Sequence, residues 1–230
     1  MKTIGLIGGM SWESSAGYYR ICNEVVKARL GGAHSAKILM WSADFAEISR
    51  LQHADAWDTL TEILCDAARR LVGAGAEMIV ICTNTMHMLA DDVAQSIGVP
   101  LIHIADAAGS AIVGDGHHTV GLLGTAFTME QPFYTERLNE KHGLAVLVPD
   151  AIGRKIVHDV IYNELVKGRV LETARRAYQT EIDKLVARGA QAIILGCTEI
   201  GLLIKPTDSP VPVYDTAEIH ARAAVEFALA

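Results

Sequence analysis

The chain has 230 residues, half of them hydrophobic and a fifth charged, with a formal net charge of -7. That is enough for one large domain or two small ones with ample core, and it excludes a disordered chain. The acidic balance argues against nucleic acid as a partner, because phosphate binding needs a basic face.

Thr3-Ile4-Gly5-Leu6-Ile7 followed by Gly8-Gly9 has the pattern of a buried parallel strand turning into a loop. Tyr18, Ile21, Cys22 and Val25 then recur at threes and fours, predicting a helix that Gly31-Gly32 stops. A second strand is expected over 37–42, followed by a polar stretch around Arg50 and Gln52, and a long helix over 56–72. Met78-Ile79-Val80-Ile81 forms the third strand and runs into Cys82-Thr83-Asn84-Thr85-Met86-His87, with a helix predicted over 85–96 and a fourth strand over 100–104. Strands alternating with helices at this rhythm indicate a mostly parallel α/β sheet.

The second half repeats the plan. Thr119-Val120-Gly121-Leu122-Leu123-Gly124-Thr125 copies the first strand at an offset of 116 (119 minus 3). Ala192-Ile193-Ile194-Leu195-Gly196 runs into Cys197-Thr198-Glu199, and Cys197 lies 115 residues after Cys82 (197 minus 82). Val211-Pro212-Val213-Tyr214 echoes Val99-Pro100-Leu101-Ile102 at an offset of 112 (211 minus 99). Three matched segments at nearly constant offset imply two related lobes. Between them come an apolar segment at 144–148, helices over 152–167 and 171–188 divided by Gly168, and an amphipathic final helix over 217–230. The expected organisation is residues 1–104 plus 207–230 as the N-terminal lobe, with the last helix returning to it, and 105–206 as the C-terminal lobe. The lobes are related by a pseudo-twofold and an active site lies in the cleft between them.

Four cysteines do not make a disulfide framework at this length, so they are read as reduced and the compartment as cytoplasmic. The first ten residues lack a small-residue cleavage site and are read as a strand and not a signal sequence. No apolar stretch approaches the length of a membrane span. Cys22 and Cys65 are read as small core residues. Cys82 and Cys197 are the exceptions, because each ends a matched strand. A thiolate on one side of a stereocentre and a thiol on the other form an acid/base pair able to invert it. Thr83, Asn84, Thr85 and Thr198 offer donors for an α-carboxylate and for the charge that develops as the α-proton leaves. Gly8-Gly9-Met10-Ser11 and Gly124-Thr125 allow close backbone approach. Neither cysteine has a second ligand at metal spacing, and no G-x-G-x-x-G marks a nucleotide site. His87 is read as capping or lining the following helix, and His117-His118 as solvent-facing. Glu199 either orients Cys197 or favours a helix N-terminus.

Gly8-Gly9-Met10-Ser11-Trp12-Glu13-Ser14, Cys82-Thr83-Asn84-Thr85-Met86-His87 and Gly196-Cys197-Thr198-Glu199-Ile200 together resemble the aspartate/glutamate racemase family of cofactor-independent amino acid racemases. The resemblance spans essentially the whole chain. It implies Cys82 and Cys197 as the acid/base residues, no pyridoxal phosphate, no metal, and a homodimer acting on a small amino acid. It also implies that Arg50 and Lys167 hold substrate carboxylates, which points to aspartate or glutamate. With Met10, Ser11, Thr83, Asn84, Thr85, Thr125 and Thr198 they complete the expected binding set. Broad specificity, hydantoin racemisation, maleate isomerisation and a non-catalytic small-acid binding protein are the alternatives, since a fold does not fix a function.

Overall fold

The computed structural model describes residues 1–230. The chain divides into two units, Met1–Ile104 with His220–Ala230, and Ala105–Ile219. In the first, β1 (Ile4–Gly8), β2 (Ile38–Ser42), β3 (Met78–Ile81) and β4 (Leu101–Ile102) form a parallel sheet in the order β2-β1-β3-β4. Every residue of β1 and β3 is buried. These strands read as continuous apolar runs because helices cover both faces of the sheet.

Helix α1 (Trp12–Leu30) starts at Ser11, whose hydroxyl accepts from the Ser14 N–H, and stops at Gly31, whose N–H donates to Lys27 O. Lys27 and Arg29 in its last turn complement the helix dipole. Next come α2 (Phe45–His53) and α3 (Trp57–Gly73). Helix α3 buries Leu60, Leu64, Ala67, Ala68 and Leu71 in one cluster with Ile79 and Ile81 of β3. Each of those leucines contributes about 1.5–3 kcal/mol by leaving water. A 3-10 turn (Thr85–Leu89) and α4 (Ala90–Gln95) follow β3.

The second unit has the same plan. Strands β5 (Thr119–Gly124), β6 (Ala145–Leu147), β7 (Ala192–Gly196) and β8 (Val213–Asp215) are parallel in the order β6-β5-β7-β8. Its helices are α5 (Ile104–Gly114), α6 (Ala126–Glu130), α7 (Pro132–His142), α8 (Ala151–Asn163), α9 (Glu172–Ala187) and α10 (Ile200–Leu203). Helix α11 (Thr216–Leu229) ends the chain. No helix is long and apolar enough to cross a membrane.

Several boundaries differ from the sequence expectation. The chain returns to the first unit at His220 and not at 207, because β8 is hydrogen-bonded to β7 through Ile193↔Val213, Ile194↔Tyr214 and Leu195↔Asp215. Beyond that point Lys2 N–H donates to Ala228 O at 2.8 Å, and Arg29 pairs with Glu226. The stretch around Arg50 is a helix. Phe45, Ile48 and Leu51 are spaced by three, and Asp44 caps the helix by accepting from Ala46 N–H at 3.0 Å. The segment 85–96 divides into the 3-10 turn and α4. The segment 152–167 divides at Asn163, with a 3-10 turn (Leu165–Lys167) that closes on left-handed Gly168 at φ 69°. Helices α5, α6, α7 and α10 had no counterpart in the sequence reading.

Candidate active site

In each unit the loops that resemble the family leave the carboxyl ends of the inner strands, where ligands bind in open parallel sheets. After β1 the chain turns at Gly9 with φ 85°, and a Cβ there would stand 2.3 Å from Ala43 O, so only glycine fits. Met10 is 5% exposed and its side chain belongs to the core. Ser11 caps α1, and after β5 Thr125 caps α6 by accepting from Thr128 N–H at 3.3 Å. Met10, Ser11 and Thr125 therefore shape their loops, and they offer a ligand mainly backbone.

The two sheets can be aligned residue by residue. A Cβ on Gly5 would stand 2.8 Å from Ile79 Cδ1, and one on Gly121 would stand 2.7 Å from Ile193 Cδ1. Strand pairing agrees, with Ile4 opposite Met78 and Val120 opposite Ala192. Ile79 thus corresponds to Ile193, an offset of 114 (193 minus 79). At that offset Cys82 corresponds to Gly196, and the counterpart of Cys197 is Thr83.

The register therefore aligns Cys197 with Thr83, one residue away from the Cys82 that the sequence pairs with it. Successive strand side chains point to opposite faces, so a one-residue offset exchanges the faces. Cys82 is fully buried, with its sulfur 3.9 Å from Val80 O. Burial, and the nearby Cys22 on α1, push its thiol well above the ordinary range. Cys22 is itself buried, with its sulfur 3.8 Å from Ala221 O of α11. Thr83 is half-buried, while Asn84 and Thr85 beside it are buried at 2% and 6%.

His87 fixes this loop. Its Nδ1 donates to Thr83 O at 2.7 Å, and its Nε2 accepts from Ile104 N–H at 3.1 Å. Both ring nitrogens are committed to the backbone, which sets the tautomer and leaves no free base. The ring packs edge-on against His103 and His220 at centroid distances of 4.5 and 5.5 Å. His220 donates from Nε2 to Ile102 O at 2.7 Å, and its Nδ1 accepts from Tyr18 Oη at 2.9 Å. Burial holds His220 down to about 4.

Cys197 lies in a different setting. Its thiol donates to Glu199 Oε2 at 2.9 Å, and Thr198 Oγ1 donates to the same oxygen at 2.9 Å. Burial, then the Glu199 carboxylate, push the thiol well above its ordinary value, so it rests protonated. Burial first, and then Cys197, raise Tyr162 to about 12 and raise Tyr178 as well. Of the two roles considered from the sequence, the Glu199 contact with Cys197 is present, whereas at the start of α10 its side chain makes no cap hydrogen bond.

Arg50 is exposed on α2 and Lys167 is exposed at the end of its 3-10 turn. The buried polar residue of α2 is Gln52, which the sequence reading placed in a polar stretch and gave no role in the site. Its signal was the helical period, which places residues 48, 51 and 52 on one face. No group of three His, Cys, Asp or Glu side chains could hold a metal ion.

A sequence model of the Asp/Glu/Hydantoin racemase family matches residues 7–224. A Yersinia pestis protein assigned to the Asp/Glu racemases superimposes with a TM-score of 0.94 at 54% identity over 100% of both chains. An aspartate racemase homologue from Pyrococcus horikoshii superimposes with a TM-score of 0.87 at 36% identity, again over 100% of both chains. The broad specificity amino-acid racemase of Bacillus subtilis is 22% identical over 181 residues, 75% of this chain and 74% of that one. Sequence, two-unit α/β fold and strand-end loops agree: the chain belongs to the Asp/Glu/hydantoin racemase family.

Proposed function

We propose that the protein interconverts the enantiomers of an acidic amino acid, aspartate or glutamate, by cofactor-independent proton transfer at the α-carbon. The observation that carries this reading is the matched register that makes Thr83 and Cys197 equivalent residues at equivalent strand ends. Cys197 is the base, and Glu199, hydrogen-bonded to its thiol, lies within reach of the thiol proton. Thr83 takes the opposite face of the α-carbon. A hydroxyl holds its proton more tightly than a thiol does and is a poor base toward carbon; when it returns a proton to the carbanion, water must reprotonate the alkoxide, so the two partners are unequal. Asn84, Thr85, Thr198 and the backbone of the Met10-Ser11 and Thr125 loops hold the α-carboxylate and the charge that builds on it. Arg50 and Lys167, both exposed, supply the charge for a second carboxylate. The same proposal includes a homodimer, which sedimentation tests, and a reducing cytoplasm, which four free thiols suit.

Deuterium exchange tests the pair. Wild type in heavy water should incorporate deuterium at the α-carbon as it inverts aspartate or glutamate. Cys197→Ala should lose both exchange and inversion. Thr83→Ala should keep exchange for the enantiomer whose α-proton meets Cys197, yet lose inversion, and Thr83→Cys should invert faster than wild type. Full inversion by Thr83→Ala or by Cys197→Ala would overturn the assignment.

Broad specificity is the second reading. It is favoured by the likeness to the Bacillus subtilis enzyme and by the exposure of Arg50 and Lys167, which are not built into buried clamps. Comparing kcat/KM for aspartate, glutamate and neutral amino acids decides between the two.

A further inference from the structure

Gln52 is 5% exposed, near the end of α2 and on its buried face with Ile48 and Leu51. Its Nε2 donates to Met86 Sδ at 3.1 Å. Its Oε1 is buried without a hydrogen-bond partner. A buried amide oxygen left unpaired costs stability, and native proteins seldom retain one without a use. The surroundings point to that use. Met86 follows Thr83, Asn84 and Thr85 in the same loop, and the cluster that contains Met86 also contains Met10, Ile48 and Leu51. Gln52 therefore touches the loop that carries Thr83 and shares a core with the loop that follows β1.

We propose that Gln52 Oε1 receives the α-ammonium group of the amino acid substrate, an inference that rests on the racemase reading above. The free atom is an acceptor, which suits an ammonium and repels a carboxylate. With Nε2 held by the methionine sulfur, the amide keeps that orientation. An amide also suits the chemistry better than an acid would. The positive ammonium makes the α-proton easier to remove, and a neutral acceptor holds it without cancelling its charge, whereas a carboxylate would offset it. Gln52 thus contacts the substrate from the buried face of α2.

The test compares ligands that differ only in the amino group: L-aspartate with succinate, and L-glutamate with glutarate, by calorimetric titration. Gln52→Met keeps the volume and removes the acceptor. Gln52→Glu keeps an acceptor oxygen. For Gln52→Met the amino acids should weaken by roughly tenfold to a hundredfold, the worth of a hydrogen bond to a charged group, while the diacids bind as to wild type. Gln52→Glu should bind the amino acids within a few fold of wild type but turn them over more slowly, a loss in kcat and not in KM. Equal weakening of diacids and amino acids in Gln52→Met, or no weakening of either, would overturn the role of Gln52. Wild type that binds the amino acids without racemising them would overturn the racemase reading and leave the Gln52 comparison standing. Wild type that binds neither pair would overturn both.

Discussion

Replacing Cys82 with alanine separates a core thiol from a catalytic one. The sulfur occupies a fully buried position beside Cys22 and Val80, in the layer behind β3. Removing it loses the transfer energy of about one methylene, ~0.8 kcal/mol. The void adds to this, because the neighbours relax only in part, for a total of about 1–2 kcal/mol. In a chain of 230 residues that lowers the melting temperature by about 2–8 °C. Racemisation at 25 °C, followed by chiral chromatography, should stay at the wild-type rate. Cys197→Ala should behave in the opposite way, with melting little changed and turnover reduced by about 10²–10⁴-fold, the usual worth of a positioned acid/base group. If Cys82→Ala melts as wild type does but loses turnover to the extent that Cys197→Ala does, the register argument fails and the two thiols are the pair.

Glu199→Gln should move the ascending limb of the pH–rate profile toward acid. The carboxylate raises the Cys197 thiol, so its removal lets the thiolate form at lower pH, and a shift toward alkali would refute that electrostatic account. His220 should make the fold acid-sensitive. Its folded value is about 4 against 6.5 for the free group, so the unfolded chain binds the extra proton. Stability is therefore complete above pH 6.5 and falls by about 1.4 kcal/mol per unit down to pH 4, below which this contribution levels off. Urea melts at pH 7.5 and 4.5 should show a smaller difference for His220→Gln than for wild type. An unchanged difference would mean that His220 is already charged in the fold.

Much of the molecule was legible in the chain. Continuous apolar runs identified the inner strands, because a parallel sheet covered on both faces has no polar side. Gly31 and Gly168 marked stops that hold, since left-handed backbone follows the helical turns there. The short helices were hidden for the opposite reason. Helix α6 has five residues and α10 four, too few for a period to register, and they persist through their packing. The edge strand β8 was placed in the wrong unit because the residues alone do not say which strand a three-residue segment will pair with.

The sequence by itself determined that the chain is a duplicated α/β unit with a Cys-Thr loop after each third strand, because the repeated apolar runs and the Cys-Thr segments are local features. Tertiary structure decided which residues of those loops correspond. Connections of unequal length let the repeat offset drift among 116, 115 and 112, so the linear chain could not resolve a single residue. Hydrogen-bonded register counts strand positions directly, and side chains alternate faces at every step. One residue therefore separates Cys82, sealed in the core, from Thr83, the counterpart of Cys197.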